Sequence, residues 1–277
     1  MSIARLFVAL TLFATPALAG GISVDDIVEQ KGCADCNLVL QSLRGMRVDN
    51  ANFANATLRE GDLKGVGFPD GNFARADLQR TELEKSYLTR ANFSRARMRG
   101  VDLEKSTLSG ANLTDADLRD ADVMSADLTG ADLTDTDLRN SSFRRARLVN
   151  AILHDTLARN ADFERINADG ADFLRADLQW ADFDRASLVG ANFAQADLKG
   201  IRLSSADLQS ANLTGANLAE ALLRHTNLSG ANLTDVRGLT DAQLALACGD
   251  ESTILPKGRT IPTCDAAVVA DAGDETN

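Results

Sequence analysis

Residues 111–120, Ala-Asn-Leu-Thr-Asp-Ala-Asp-Leu-Arg-Asp, contain the same five-residue pattern twice. The pattern is a small residue, an Asp or Asn, a Leu, and two variable positions. It recurs at residues 211–215, Ala-Asn-Leu-Thr-Gly, and extends in both directions without a change of register. Counting every fifth residue from Leu38 to Leu233 gives 40 positions, of which 38 are Leu, Phe, Val or Met. The other two positions are Ala158 and Ala168.

A second column lies two residues before each large residue. It holds mostly Ala and otherwise small or β-branched residues, except Cys36, Gln41 and Met46 at its start. A period of five matches neither the 3.6 residues of a helix nor the two residues of a strand. Both columns can point inward only if the chain turns a corner every five residues. The sequence therefore predicts a coil with a repeating interior, which suits a chain that is 44% hydrophobic but only 5% aromatic.

The pattern A-(D/N)-(L/F)-x-x over residues 36–235 resembles the pentapeptide-repeat family. The resemblance implies an all-β fold, a right-handed quadrilateral β-helix with four pentapeptides in each coil. Residues 36–235 then form about ten coils, and stacking at ~4.8 Å gives a rod roughly 45–50 Å long. The residues expected to form the interior ladder include Leu58, Phe73, Leu113, Leu118, Leu128, Leu133, Phe173, Phe193 and Leu213.

The seventh coil, residues 156–175, departs from the pattern. Ala158 and Ala168 occupy opposite sides of it, while Phe163 and Phe173 occupy the other two. Two large and two small side chains conserve volume, which hydrophobic cores tolerate. We interpret this coil as compensated packing rather than as a ligand cavity.

Solenoid ends expose unpaired backbone and need caps. Ser23 has the character of a helix N-cap, with Ile22 and Ile27 placed as a hydrophobic staple and Gly32 suited to the helix end. Residues 239–244, Leu-Thr-Asp-Ala-Gln-Leu, carry a capping box for a second helix. We divide the chain into a signal peptide (1–19), an N-terminal cap (20–35), the solenoid (36–235), a C-terminal capping helix and disulfide loop (236–264) and a flexible acidic tail (265–277).

The first nineteen residues have the features of a cleavable export signal. Arg5 supplies a positive charge, residues 6–14 are apolar, and residues 17–19, Ala-Leu-Ala, fit the cleavage rule. The apolar run is too short to span a bilayer. The sequence therefore predicts a periplasmic or secreted protein that is cleaved after Ala19.

Export permits disulfides, and the four cysteines form one close pair near each end of the chain: Cys33 with Cys36, and Cys248 with Cys264. A disulfide requires Cα atoms within ~7 Å, so the length of the rod allows only these two intramolecular pairings. Whether the Cys33/Cys36 pair is oxidised stays open at this stage. Its C-x-x-C spacing also occurs in redox proteins, but there the motif opens a helix after a strand, and we favour closure of the cap.

A twenty-residue coil sorts the outer positions onto four faces, which begin at residues 36, 41, 46 and 51. The first two faces carry equal numbers of acidic and basic residues and are expected to form ion-pair ladders. The third is mostly Ser, Thr, Gly and Val, and the fourth has a column of Asn. Much of the formal net charge of −11 falls at the ends of the chain.

These surfaces favour an exported, non-enzymatic scaffold for protein interaction or structure in the cell envelope. We expect unknown protein partners on the third and fourth faces, a monomer or end-to-end dimer, no membrane span, no nucleic acid and no cofactor. Metal and catalytic sites are not expected, because the only histidines, His154 and His225, have no clustered partners. The alternative is a DNA mimic that binds DNA gyrase, an activity known in the family. This alternative requires a cytosolic protein and an acidic stripe along the rod. The balanced charges of the first two faces do not provide such a stripe.

Overall fold

The computed structural model describes residues 23–264, which form a parallel β-solenoid. Single-residue β-bridges join each outward Asp/Asn position to the residue twenty positions later, from Gly32 with Asn52 to Asn217 with Arg237. All these bridges are parallel, so each coil contains four five-residue sides. The predicted fold class is confirmed: about ten coils with a short helix at each end. The expected signal peptide and acidic tail lie outside the described residues.

Two backbone hydrogen bonds repeat in almost every pentapeptide. The amide of the large residue donates to the next coil, as Phe53 N does to Asn72 O at 2.7 Å. The amide of the next small residue closes the corner, as Ala56 N donates to Phe53 O at 3.0 Å. These bonds pair the backbone within and between coils. Few backbone N–H and C=O groups are therefore left unsatisfied, although the chain has almost no regular strand.

The fifth residue of every pentapeptide from Leu40 to Asp235 has a positive φ. Where this residue is not glycine, φ lies between 54° and 62°. The left-handed region is sterically costly for most residues and most costly for β-branched ones. Consistent with this, Val, Ile and Thr are absent from all 40 fifth positions. The corner conformation therefore explains a restriction that hydrophobicity alone does not.

The Asp/Asn position supports the same corner from outside. Its Oδ1 accepts the amide of the residue two positions later, as Asn112 Oδ1 does from Thr114 N at 3.0 Å and Asp102 Oδ1 from Glu104 N at 2.9 Å. Short side chains that can form this bond are favoured in turns. The conspicuous Asp/Asn column is thus a turn-stabilising element of the fold.

The interior is filled by the two inward columns. The structure places all nine residues expected in the ladder (Leu58, Phe73, Leu113, Leu118, Leu128, Leu133, Phe173, Phe193 and Leu213) at no more than 1% exposure. Phenylalanines stack between coils: the Phe73 and Phe93 ring centroids are 4.9 Å apart, and those of Phe173 and Phe193 are 4.7 Å apart. In the seventh coil, Ala158, Ala168, Phe163 and Phe173 are all fully buried.

Helix α1, Val24–Glu29, covers the first coil. Ser23 and Asp26 form a capping box, and Ile27 is fully buried. Ile22, the other half of the expected staple, lies outside the described residues. Gly32 N donates to Ile27 O at 2.7 Å, and a Cβ at Gly32 would lie 2.3 Å from Asn52 O. This position therefore requires glycine for the close approach of the cap to the first coil.

Helix α2, Asp241–Leu244, covers the opposite end. Thr240 caps it, and Leu239 and Leu244 are both buried. The Gln243 side chain donates hydrogen bonds of 2.9 Å to the carbonyls of Leu218 and Ala221, which the last coil would otherwise expose. Residues 248, 254 and 263 then add further parallel bridges beyond the repeats. Neither α1 nor α2, the helices of residues 23–264, has the length and hydrophobicity of a membrane span.

Disulfides join Cys33 to Cys36 and Cys248 to Cys264, with Cα–Cα distances of 5.6 and 4.8 Å. The first lies directly after α1, and its Cys33 side chain is buried. The second holds the C-terminal loop against the last coils, where Gly249 N donates to Pro262 O at 2.8 Å. Each disulfide therefore belongs to one cap of the solenoid.

Candidate interaction surfaces

The first face, which contains residues 36–40 and every twentieth residue after them, carries an ion-pair ladder. Arg119 pairs bidentately with Asp117, through Nε at 2.8 Å and Nη2 at 2.6 Å, and its Nε lies 3.5 Å from Asp137 in the next coil. Further pairs on this face are Arg59–Asp77, Arg97–Asp77, Arg139–Asp137, Arg159–Asp177 and Lys199–Glu220. Most of its carboxylates are therefore neutralised locally, and the face presents no acidic stripe.

The second face, beginning at residues 41–45, carries a similar ladder. Its pairs include Arg44–Asp62, Lys64–Glu84, Lys105–Glu104, Arg144–Glu164 and Arg202–Asp184. The cations separate carboxylates that would otherwise stack at the ~4.8 Å spacing of adjacent coils. Exposed pairs of this kind contribute ~0–1 kcal/mol each, so they are better explained as relief of like-charge repulsion than as a ligand site.

One carboxyl pair on the second face has unusual proton affinity. Partial burial raises the pKa of Asp102 to about 6, the Glu104 amide opposes this shift, and the neighbouring Glu84 carboxyl adds to it. The hydrogen bond with Asp102, followed by that with Lys64, lowers the pKa of Glu84. Perturbed carboxyls occur in active sites, but these two belong to the ladder, in which the Lys64 ammonium lies 3.1 Å from Glu84 as an ion-pair partner. We assign them to the stacking of the coils.

The third and fourth faces, beginning at residues 46–50 and 51–55, are built from small polar side chains that bond to one another. Thr114 and Thr134 donate their hydroxyl protons to Asn112 and Asp132 at 2.8 and 2.6 Å. On the fourth face the Asn column links successive coils, as Asn212 Nδ2 donates to Asn192 Oδ1 at 2.9 Å. These two faces carry fewer charged residues than the first two, although each has an ion pair such as Arg90–Asp70 on the third and Arg175–Asp155 on the fourth.

A shallow groove of about 420 Å³ crosses the fourth face over the first four coils. It is lined by small fourth-position residues, including Ala54, Ala74 and Ser94, and by longer fifth-position residues, including Arg75 and Arg95. Arg95 lies 3.3 Å from Asp115, whereas Arg75 forms no ion pair within residues 23–264. The groove gives the fourth face a concave feature.

Two exposed aromatic residues were not singled out by the sequence analysis. Tyr87 lies on the third face, with the Arg47 guanidinium 5.1 Å from its ring centroid and Gly67 between them in the column. Trp180 lies at a corner of the first face, and its ring covers Gly200 in the next coil. In both cases a glycine shares the column with the aromatic side chain, which is the sequence signal that could have revealed these contacts.

The histidines lie apart on the solenoid. His154 Nε2 is 2.8 Å from Asp172 Oδ2 on the fourth face, and His225 Nε2 accepts a 3.1 Å hydrogen bond from Arg224 Nε at a corner of the second. Within residues 23–264, no cluster of three or more His, Cys, Asp or Glu side chains could hold a metal ion. Cys33 and Cys36 follow α1 instead of opening a helix, so their setting differs from that of a redox C-x-x-C motif.

Comparison with known proteins agrees with this architecture. A family model described as pentapeptide repeats, with eight copies, matches residues 72–104, 96–135 and 201–237. A second model, described as a pentapeptide repeat region, matches residues 136–213. Together the matches run from residue 72 to 237, which is more than half of the 277-residue chain. A comparison with curated proteins finds no match.

Three solved structures illustrate the similarity. HetL, a pentapeptide repeat protein involved in heterocyst differentiation regulation from the cyanobacterium Nostoc sp. strain PCC 7120, is 30% identical, with 78% of this chain and 92% of HetL covered and a TM-score of 0.48. Rfr23 from the cyanobacterium Cyanothece 51142 is 30% identical over 35% of this chain and 63% of its own, with a TM-score of 0.27. A trypsin-treated form of QnrB1, a plasmid-mediated fluoroquinolone resistance protein, is 16% identical over 76% and 97% of the two chains, with a TM-score of 0.39. On the strength of the family models, the chain belongs to the pentapeptide-repeat proteins, and its fold is their right-handed quadrilateral β-helix.

Proposed function

We propose that this chain is an exported, non-enzymatic scaffold that binds protein partners of the cell envelope through its third and fourth faces. The observation that carries the proposal is the division of the surface into two kinds. Two faces carry dense ladders of ion pairs between their own residues, while the other two have fewer charged residues and more small side chains, and the fourth bears a shallow groove. A partner on these two faces desolvates fewer charges than a partner on the first two, and desolvating charged groups is costly.

Export is supported by the amino-terminal segment and by the disulfides. Residues 1–19 have the charge, apolar run and cleavage sequence of a signal peptide. All four cysteines are paired at the two caps, and such bonds persist in oxidising compartments. The absence of an acidic stripe on the two charged faces argues against the gyrase-binding alternative, which also requires a cytosolic protein.

Localisation can be tested with the full chain fused to a reporter that is active only after export, with and without residues 1–19. We expect activity only in the fusion that carries these residues, together with a mature protein that begins at Gly20. An inactive reporter in the fusion that carries residues 1–19 contradicts export, and activity in the fusion that lacks them contradicts the signal-peptide assignment. If the protein remains in the cytosol and protects gyrase in a supercoiling assay, the alternative function is correct.

Partner binding can be tested by photo-crosslinking in intact cells. A photoreactive residue replaces Ser94 in the groove of the fourth face, and a matched one replaces Gln79 on the first face. We expect a discrete protein adduct from position 94 and none from position 79. Adducts of equal yield at both positions, or at neither, contradict the assignment of the fourth face as the partner surface.

A further inference from the structure

Trp180 is the only tryptophan in the chain, and it occupies an unfavourable place. It is the fifth residue of its pentapeptide, with a φ of 61°, and its side chain remains 49% exposed. An indole contributes most to stability when it is buried, and the left-handed region suits glycine or asparagine better. The corner conformation by itself therefore does not favour a tryptophan here.

The ring of Trp180 lies flat on the next coil. A Cβ built on Gly200 would be 2.2 Å from Cε3, 2.3 Å from Cζ3 and 2.7 Å from Cδ2 of the indole. These three atoms belong to the six-membered ring, so the face of that ring rests on the Gly200 backbone, and Gly200 itself is buried. The Trp180 side chain is 49% exposed, so much of the indole surface away from Gly200 faces solvent, with the Lys199 ammonium over the ring. Trp180 thus forms a fixed aromatic platform parallel to the surface.

The platform is bordered by polar groups. Lys199 Nζ lies 5.9 Å from the indole centroid and 3.3 Å from a Glu220 carboxylate oxygen. Gln179, the residue before Trp180, donates a 2.8 Å hydrogen bond from Nε2 to Asp197. In a protein–protein interface, an aromatic hot-spot residue is surrounded by other packed residues that exclude water. Within residues 23–264, Trp180 has no such apolar surroundings. Instead, one planar apolar ring is surrounded by groups that can form hydrogen bonds. A sugar ring has the complementary arrangement, with C–H groups on its face and hydroxyls at its edge.

We propose that Trp180 is a stacking platform for a β-1,4-linked hexopyranose chain, with Lys199 and Glu220 bonding to the sugar hydroxyls. In such a chain the ring substituents are equatorial, so each face of the sugar presents axial C–H groups. Their partial positive charge is attracted by the negative face of the indole. A few placed polar groups around an apolar contact give a binding site its orientation. This glycan site lies at the edge of the first face and goes beyond the protein-binding function proposed for the third and fourth.

Because the chain has one tryptophan, its fluorescence reports directly on this site. Titrating the mature protein with chitotetraose and with cellotetraose should change the emission saturably and release heat in calorimetry. Sorbitol has hydroxyls but no ring and should do neither. Absence of both signals with both tetrasaccharides overturns the proposal.

Substitutions then separate the ring from the rest of the surface. Calorimetric affinity should fall at least tenfold in Trp180→Ala and stay within threefold of the wild-type value in Tyr87→Ala, which removes the exposed aromatic of the third face. Trp180→Phe should keep measurable binding because it keeps a ring. Unchanged affinity in Trp180→Ala overturns the proposal.

The Gly200 contact supplies a second, independent test. In Gly200→Ala the added Cβ must displace the indole, and affinity should fall at least fivefold although Trp180 is still present. Gly190→Ala is the matched control, because Gly190 has the same φ of 67° and nothing within 4 Å of its Cβ position. Equal affinity in the two alanine variants contradicts the flat platform. Circular dichroism of both variants establishes that they are folded, and a Gly200→Ala protein that does not fold leaves the Trp180 variants to decide.

Discussion

The hydroxyl of Thr81 donates a 2.8 Å hydrogen bond to the carbonyl oxygen of Leu58, twenty-three residues earlier in the preceding coil. Thr81 is fully buried in the small inward column. The same spacing recurs wherever a buried Ser or Thr of that column bonds to the coil before it: Ser86 to Leu63, Ser106 to Leu83, Thr136 to Leu113, Thr156 to Leu133 and Thr226 to Leu203. The interior therefore contains cross-coil hydrogen bonds as well as apolar packing.

In the small inward column, replacing threonine by valine should lower the free energy of unfolding, whereas replacing valine by threonine should not. Thr81→Val removes the bond while keeping the shape, and we expect the free energy of unfolding to fall by about 1 kcal/mol. Val101 occupies the same column in the next coil and is also fully buried. Val101→Thr can form the equivalent bond to Leu78 and should be neutral or stabilising. Urea denaturation measures both variants, and a loss in Val101→Thr as large as that in Thr81→Val argues against a stabilising hydrogen bond.

The left-handed corner predicts a second pattern of tolerance. Ser125 is exposed with a φ of 58°. Ser125→Val forces a β-branched residue into the left-handed region and should cost about 1–2 kcal/mol, whereas Ser125→Gly should stay within about 0.5 kcal/mol of wild type. Met124→Val is the control, because the fourth position already accepts valine at residues 149 and 189. Equal urea midpoints for the two valine variants would show that φ is not the cause.

The sequence predicted the solenoid because the inward columns are almost unbroken, from Leu38 to Leu233. It also contained signals that hydrophobic periodicity does not use. Residues of the Asp/Asn column such as Asn112 cap a turn amide. The absence of Val, Ile and Thr at the fifth position reflects the positive φ of every corner. Both follow from backbone geometry, which becomes visible only once the corner conformation is known.

Contacts between residues twenty or more positions apart were harder to predict. The Trp180 platform depends on Gly200 lying directly above it, and the bond from Thr81 to Leu58 depends on the rotamer of a buried hydroxyl. The coil length brings such residues together, but side-chain orientation decides whether they touch. The functional surfaces were therefore predicted as faces, while the particular groove and platform were not.

The contributions of Asp102 and Asp117 to the stability of the fold should change in opposite directions as pH rises. The folded-state pKa of Asp102 is about 6, above its ordinary value of 3.8, so the folded protein binds more protons between these pH values and loses stability as pH rises. Asp102→Asn removes this loss and keeps an acceptor for the Glu104 amide. We expect the variant to be more stable than wild type at pH 8, by about 1 kcal/mol after allowing for solvent screening, and equally stable below pH 4.

Asp117 is the matched control on the first face. Hydrogen bonding from Arg119 lowers its pKa, so its ionised form stabilises the folded protein above the ordinary carboxyl pKa, and this contribution is lost on acidification. Asp117→Asn should therefore be less stable than wild type at pH 8, with the difference vanishing near pH 2. Urea midpoints at several pH values measure both variants. Destabilisation of both at pH 8 would contradict the assignment of Asp102.

Removing the C-terminal disulfide should destabilise one cap and leave the repeats intact. Cys248 and Cys264 are separated by 16 positions, and a loop of that size is associated with ~3 kcal/mol of stabilisation. In the Cys248→Ser, Cys264→Ser double variant we expect faster hydrogen exchange and easier proteolysis within residues 249–264. Amide protection around Leu113 should not change, because each coil contacts only its neighbours.

The N-terminal disulfide provides the comparison. Cys33 and Cys36 are only three positions apart, so their double serine variant should lose less stability, and the faster exchange should be confined to α1 and the first coil. Non-reducing digestion with mass mapping checks the pairing itself, since a peptide linking Cys33 to Cys248 within a monomer contradicts caps at opposite ends. Faster exchange throughout the solenoid in either variant would show that the caps and coils unfold as one unit.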